Sequence, residues 1–133
     1  MKINGLVPLL QVFDMASSLH FYRDLLGFEV VTSSPAYNAE GDFHWALLRL
    51  EGVELMLNTA YDEGERPPAP DEARLASHGD VGLYFGCHDV NAAYEELERK
   101  GLNIGPPLDQ RYGMRQLTLK DPDGYLLIFQ RPV

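Results

Sequence analysis

Clustered basic residues are missing from this chain. Its 133 residues hold 11 Lys and Arg against 20 Asp and Glu, a formal net charge of −9. A nucleic-acid partner calls for a basic patch along one face, so that class is set aside. Cysteine is scarce as well. Cys87 is the single copy, which excludes an internal disulfide and makes a reducing cytoplasm the expected compartment. Set in "YFGCHDV" with no activating partner beside it, it reads as a small buried hydrophobe. No apolar run approaches the roughly 20 residues of a membrane span, and "MKINGLVPLL" has neither the length nor the cleavage site of a signal peptide. No membrane partner is expected.

What remains is ordinary globular material. An apolar content of 45% with 11% aromatics suits a single domain, and a chain this size buries about two-thirds of its unfolded surface. The negative balance favours a cationic ligand over an anionic one, and it also serves solubility.

The order within the chain is more informative. In "FDMASSLHFYRDLLGFEVV", Asp14 is a good N-cap, its carboxylate placed to accept from the free N–H groups of a first turn. Leu19, Tyr22, Leu25 and Leu26 then recur at helical spacing, Gly27 supplies a left-handed exit, and "FEVV" reads as a strand. In "HDVNAAYEELERKGLNI" the plan returns: Asp89 caps, Val90, Ala93, Tyr94 and Leu97 form the stripe, Gly101 ends the helix and "LNI" extends. The shift is about 75 residues, the mark of an internal repeat.

A strand precedes each helix, "LVPLLQVF" or "DVGLYFGC", and a hairpin follows each. "FHWALLRL" and "VELMLN" are joined by Glu51-Gly52, while "MRQLTLK" and "YLLIFQ" flank an Asp-Pro-Asp-Gly turn. Both halves therefore read strand–helix–strand–strand–strand, as modules 1–60 and 79–133 of one domain. Residues 61–78, rich in Pro and acidic side chains and without periodicity, read as a linker or lid.

The repeated module, with the phrases "FYRDLLGFEV" and "LKDPDGYLLIFQ", resembles the vicinal oxygen chelate superfamily. That group contains glyoxalase I, extradiol dioxygenases, and fosfomycin- and bleomycin-resistance proteins. The resemblance implies an α+β fold in which two βαβββ modules form a concave mixed-sheet cleft, often across a homodimer. Uncovered strand edges also favour a homodimer.

Strand alternation then assigns faces. Val53, Leu55 and Leu57 suit the helix side, which leaves Glu54, Met56 and Asn58 for the cleft. Across the hairpin, Phe43, Trp45, Leu47 and Arg49 take the cleft side and His44 the helix side. The remaining cleft sets are Val7, Leu9 and Gln11; Gly82, Tyr84 and Gly86; and Leu126, Ile128 and Gln130. Metal-dependent members of the superfamily place a His, Gln or Glu ligand on each of four strands. The matching places here hold Val7, Met56, Gly82 and Ile128, none of which offers an oxygen or imidazole donor. No metal and no cofactor is expected, and His20, His44, His78 and His88 lack the spacing to rebuild a site.

Among the groups of the superfamily, "VPLLQVFD" and "YGMRQLTLKDPDGY" are most similar to the metal-free bleomycin-resistance type. In that type the proline matched by Pro8 accompanies exchange of the N-terminal strand, Trp45 matches a drug-contacting aromatic, and Tyr112 matches a tryptophan near the groove. The resemblance implies a metal-independent small-molecule binding protein, of the kind that sequesters an antibiotic. Its expected ligand is planar and cationic, stacked on Phe43, Trp45, Tyr84 and Tyr112. Glu54 would be its countercharge, and Gln11, Asn58 and Gln116 would orient its polar groups beside Met56. Two alternatives stay open. One is a glyoxalase-like lyase or isomerase, or a dioxygenase-related enzyme, with Glu54 as general base and Tyr84 or Arg49 as electrophile. The other is a partner-binding subunit without a small ligand.

Overall fold

The repeat in the sequence is a repeat of structure. The computed structural model describes residues 1–133 and resolves them into two units, Met1–Ala69 and Pro70–Val133. In the first unit, β1 (Leu9–Val12) leads to α1 (Met15–Leu19), which widens into a π-helical segment (His20–Leu25). After it come β2 (Glu29–Ser33), β3 (Trp45–Leu50) and β4 (Val53–Thr59). The second unit opens with α2 (Glu72–His78). It then repeats the plan as β5 (Gly82–Gly86), α3 (Val90–Arg99), β6 (Leu108–Asp109), β7 (Met114–Lys120) and β8 (Leu126–Pro132).

Each unit makes one four-stranded mixed sheet, in the orders β1-β4-β3-β2 and β5-β8-β7-β6. The first strand of each module lies parallel to the last, and the other pairs are antiparallel. This is the α+β, twice-βαβββ architecture expected. The β3–β4 turn shows why the hairpin closes in two residues. Glu51 and Gly52 both take left-handed φ, 49° and 80°, the type I′ geometry whose twist matches that of paired strands.

Alternation sorts the first sheet into a packed and an open face; in the second, Gln116 and Ile128 on the face opposite the helix are buried as well. In the first unit Leu10, Val12, Ala46, Leu48, Leu55 and Leu57 are buried, together with Met15, Leu19, Phe21, Tyr22 and Phe28 from the helical side. In the second, Leu117, Leu119 and Leu127 are buried along with Val90 and Leu97 of α3. Phe85 stacks on Phe129, its register partner, with centroids 4.9 Å apart.

Four local details depart from the sequence reading. The first helix is not regular: Phe28 N–H donates to the Tyr22 carbonyl and Leu26 N–H to that of Phe21, and the π turn sinks both Phe21 and Tyr22 into the core. The Asp14 carboxylate accepts from the Ser17 hydroxyl at 2.6 Å and from Arg66 Nη1 at 2.8 Å, in place of a regular capping bond. Asp89 does cap α3, accepting from Ala92 N–H at 3.0 Å. The second module's middle strand forms at Leu108–Asp109 rather than at "LNI", because register with Gln116 and Arg115 is reached only there. Cys87 is half-buried, not enclosed.

A fifth departure is α2, which lies inside the stretch read as a linker. Its cap is Asp71, accepting from Ala73 N–H at 3.0 Å, and none of its side chains is fully buried. The helix is held by the β7–β8 turn. His78 Nδ1–H donates to the Asp123 carbonyl at 2.7 Å, and the His78 ring stacks on Tyr125 at 4.0 Å. Arg74 Nη1 reaches Asp123 Oδ1 at 3.0 Å. Inside the turn, Asp121 Oδ1 accepts from both Asp123 and Tyr125 N–H at 2.9 Å.

Candidate functional site

The open face of the first sheet gathers five of the sequence-predicted residues. Register pairs Trp45 with Asn58, Leu47 with Met56 and Arg49 with Glu54 across β3–β4, while β1 sets Leu9 beside Met56 and Gln11 beside Asn58. All of these belong to the half-buried or exposed class, so the alternation places them opposite the packed core. Asn58 Nδ2 donates to Gln11 Oε1 at 3.2 Å and to the Thr59 carbonyl. A tryptophan ring therefore stands next to a tethered amide pair, with Leu9, Leu47 and Met56 on the same face.

Glu54 differs from expectation. Its Oε2 accepts from Arg49 Nη2 at 2.8 Å and from Nε at 3.2 Å. The two are cross-strand partners, so the charge expected to meet a ligand cation is already met from within the sheet. The same contact gives the general-base alternative no support, since the guanidinium charge beside the carboxylate stabilises its ionised form and holds one of its two oxygens.

On the open face of the second sheet the polar groups form a chain. Tyr112 O–H donates to Gln116 Oε1 at 3.1 Å, and Gln116 Nε2 donates to Gln130 Oε1 at 2.8 Å. Gln116 is buried, whereas Tyr84 and Tyr112 are among the most exposed rings of the protein, at 62% and 66%. Tyr84 folds toward Gly82: a Cβ at Gly82 would lie 3.1 Å from Tyr84 Cε2 and 3.4 Å from Ile128 Cδ1.

That crowding bears on metal binding. Gly82 is closed in by the Tyr84 ring and the Ile128 side chain, Met56 offers a thioether, and Val7 precedes β1. No trio of His, Cys, Asp or Glu side chains lies close enough to hold an ion. The donor set at these places does not fit a hard or borderline divalent cation.

Phe43 falls outside the open-face group. The strand begins at Trp45, and Phe43 instead lines a cavity of about 600 Å³ at the end of the first sheet, with Phe13, Tyr37, His44 and Tyr61. No sequence motif marked this cavity. The only available signal was the acidic, aromatic start of "YDEGER", directly after a strand.

The profile of the Glyoxalase/Bleomycin resistance protein/Dioxygenase superfamily matches residues 2–129. The chain belongs to that superfamily. No curated protein matches the sequence. Solved structures similar to it include TnmS3, an antibiotic binding protein from Streptomyces sp. CB03234, at 23% identity over 100% of this chain and 99% of that one, with a TM-score of 0.68. TioX from Micromonospora sp. ML1 is 20% identical over 98% and 100% of the two chains, TM-score 0.71. A protein from the mobile metagenome of V. Pseudocholerae is 27% identical over 98% and 95%, TM-score 0.65. With TnmS3 and TioX the likeness is one of fold. No helix is long and apolar enough to cross a membrane.

Proposed function

We propose that this protein binds a planar organic molecule without a metal, in the manner of the bleomycin-resistance group, and so sequesters an antibiotic-like compound. The observation that carries the reading is the open face of the first sheet, where Trp45 stands beside the tethered Gln11–Asn58 pair with Leu9, Leu47 and Met56 around it. A flat ring gains stacking and apolar burial there, and the amides orient its polar edge. On the second sheet Tyr84, Tyr112 and Gln116 offer the same combination of exposed rings and a fixed amide. The antibiotic-binding description of TnmS3 supports this class of ligand. Any preference for a cation at the first face rests on the overall charge of −9, since Glu54 is neutralised by Arg49.

The chain acts in this reading as one domain and as a homodimer, with Cys87 reduced in the cytoplasm. Exposed Ile3, Leu6 and Val7 ahead of β1, and Leu9 within it, are the apolar surface that a second copy covers. The test uses Trp45, the only tryptophan, as its own reporter. Titration with bleomycin is expected to quench its fluorescence, and Trp45→Ala to weaken binding by about 1–3 kcal/mol in calorimetry. Binding of equal strength to both proteins would remove Trp45 from the site.

A further inference from the structure

The cavity at the end of the first sheet is separate from that open face. Its volume of about 600 Å³ falls inside the range of about 300–1,000 Å³ common to small-molecule sites. Its walls come from three segments of the first unit: residues 13–23, residues 37–44 and residues 59–66. The rings that face it are fixed in position. Tyr37 and His44 stack at 4.2 Å, with planes 12° apart, and His44 Nδ1 shares a hydrogen bond with Thr59 Oγ1 at 2.9 Å. Phe13 and Tyr61 meet edge to face at 6.1 Å.

The charges around these rings are unevenly committed. Arg66 is tied to Asp14 at 2.8 Å and lies 5.3 Å over the Phe13 ring, so one cation already rests on an aromatic face here. Arg23 pairs with Asp24 at 2.9 Å, and Asp42 accepts from the Asn38 amide at 2.8 Å. Asp62 and Glu63 are exposed and belong to none of the ion pairs formed. The cations of the wall are thus cancelled by carboxylates, and the charge left over is negative. Aromatic faces with uncancelled carboxylates at their rim attract a flat cation and repel an anion.

We propose that this cavity is a second binding site, for a flat organic cation such as a protonated heteroaromatic amine or a quaternary ammonium. The ring system stacks against Tyr37 and Tyr61, with its charge toward Asp62 and Glu63. The site needs neither Trp45 nor the sheet face, so its fate is independent of the reading above.

The experiment titrates the full chain with ethidium, a planar cation, and with anilinonaphthalene sulfonate, a planar anion. Calorimetry gives affinity and backbone amide shifts give location. Ethidium is expected to move the amides of residues 13–23, 37–44 and 59–66 and to bind more tightly than the sulfonate. The double variant Asp62→Asn, Glu63→Gln weakens it roughly three- to tenfold. Ala16→Trp fills the cavity from exposed α1 and abolishes these shifts, with circular dichroism confirming the fold, whereas Trp45→Ala leaves the shifts of residues 13–23 and 59–66 in place. Four results each overturn the proposal: no ethidium binding, shifts confined to other residues, equal binding of the sulfonate, or shifts of residues 13–23 and 59–66 that vanish in Trp45→Ala but not in the acidic double variant.

Discussion

Trp45 and Leu55 stand on adjacent strands of one sheet and face opposite ways. Leu55 is 1% exposed within the helix-side core, and Trp45 is only half-buried. Leu55→Ala therefore opens a cavity and is expected to cost about 2–5 kcal/mol of stability, while Trp45→Ala lowers stability less and ligand affinity more. Urea unfolding of both variants checks the assignment, and a Trp45→Ala as unstable as Leu55→Ala would show the alternation to be one residue out of register. Asp14 carries a second prediction at this scale. Burial pushes its carboxyl up, but the hydrogen bonds from Ser17 and Arg66 and the Arg66 charge outweigh it, and the group titrates below its ordinary range. A carboxyl held low in the folded state adds stability that is complete above its unfolded value, near 3.9. That stability is lost as the pH falls through the lower folded value. Acid unfolding of Asp14→Asn should accordingly show a shallower fall in stability below about pH 4, and a slope identical to that of the unchanged protein would contradict the Arg66 contact.

Two glycines isolate what holds α2. Gly113 and Gly124 both adopt left-handed φ, +84° and +87°, so alanine strains either turn by about 1–2 kcal/mol. Around Gly113 the space for a Cβ is open, whereas at Gly124 the Cβ would run into the carbonyl oxygen of Leu75 in α2. Gly124→Ala is expected to be the more destabilising of the pair, and to raise amide exchange across residues 72–78. Equal effects of the two substitutions would mean that α2 does not rest on the turn. In "DEARLASHG" a capping Asp71 and a closing Gly79 were the only signs of this helix. It has no buried stripe, and its stability comes from Asp71, from the His78–Tyr125 stack and from the Arg74–Asp123 pair, all but the first of them partners about fifty residues away. The π turn was silent, because Leu19, Tyr22, Leu25 and Leu26 have spacings that a regular helix satisfies as well.

For the whole molecule, the proposed homodimer predicts a sedimentation mass of twice the 15.0 kDa chain, stable on dilution. A concentration-independent mass of one chain would contradict it. Trimming residues 1–7, which lie in no strand, should shift the equilibrium toward monomer if the exposed Ile3 and Leu6 are part of the interface. The superfamily fold serves several chemistries, and the proposed metal-free reading rests on local chemistry: Val7, Met56, Gly82 and Ile128 hold the places that the resemblance assigns to the ligands of metal-dependent members.

The sequence by itself determined the two modules, their capped helix α3, their tight hairpins and the sorting of β1, β3 and β4 into a core side and an open side. These are short-range properties, set by a two-residue period, a cap or a pair of left-handed turn residues. Tertiary structure alone decided which charges are spent. Arg49 cancels Glu54 because strand register sets them opposite each other. Arg66 cancels Asp14 from 52 positions away. It also decided where Phe43 goes and that a ring-lined cavity exists, since walls drawn from three separated segments close only when the chain has folded back on itself.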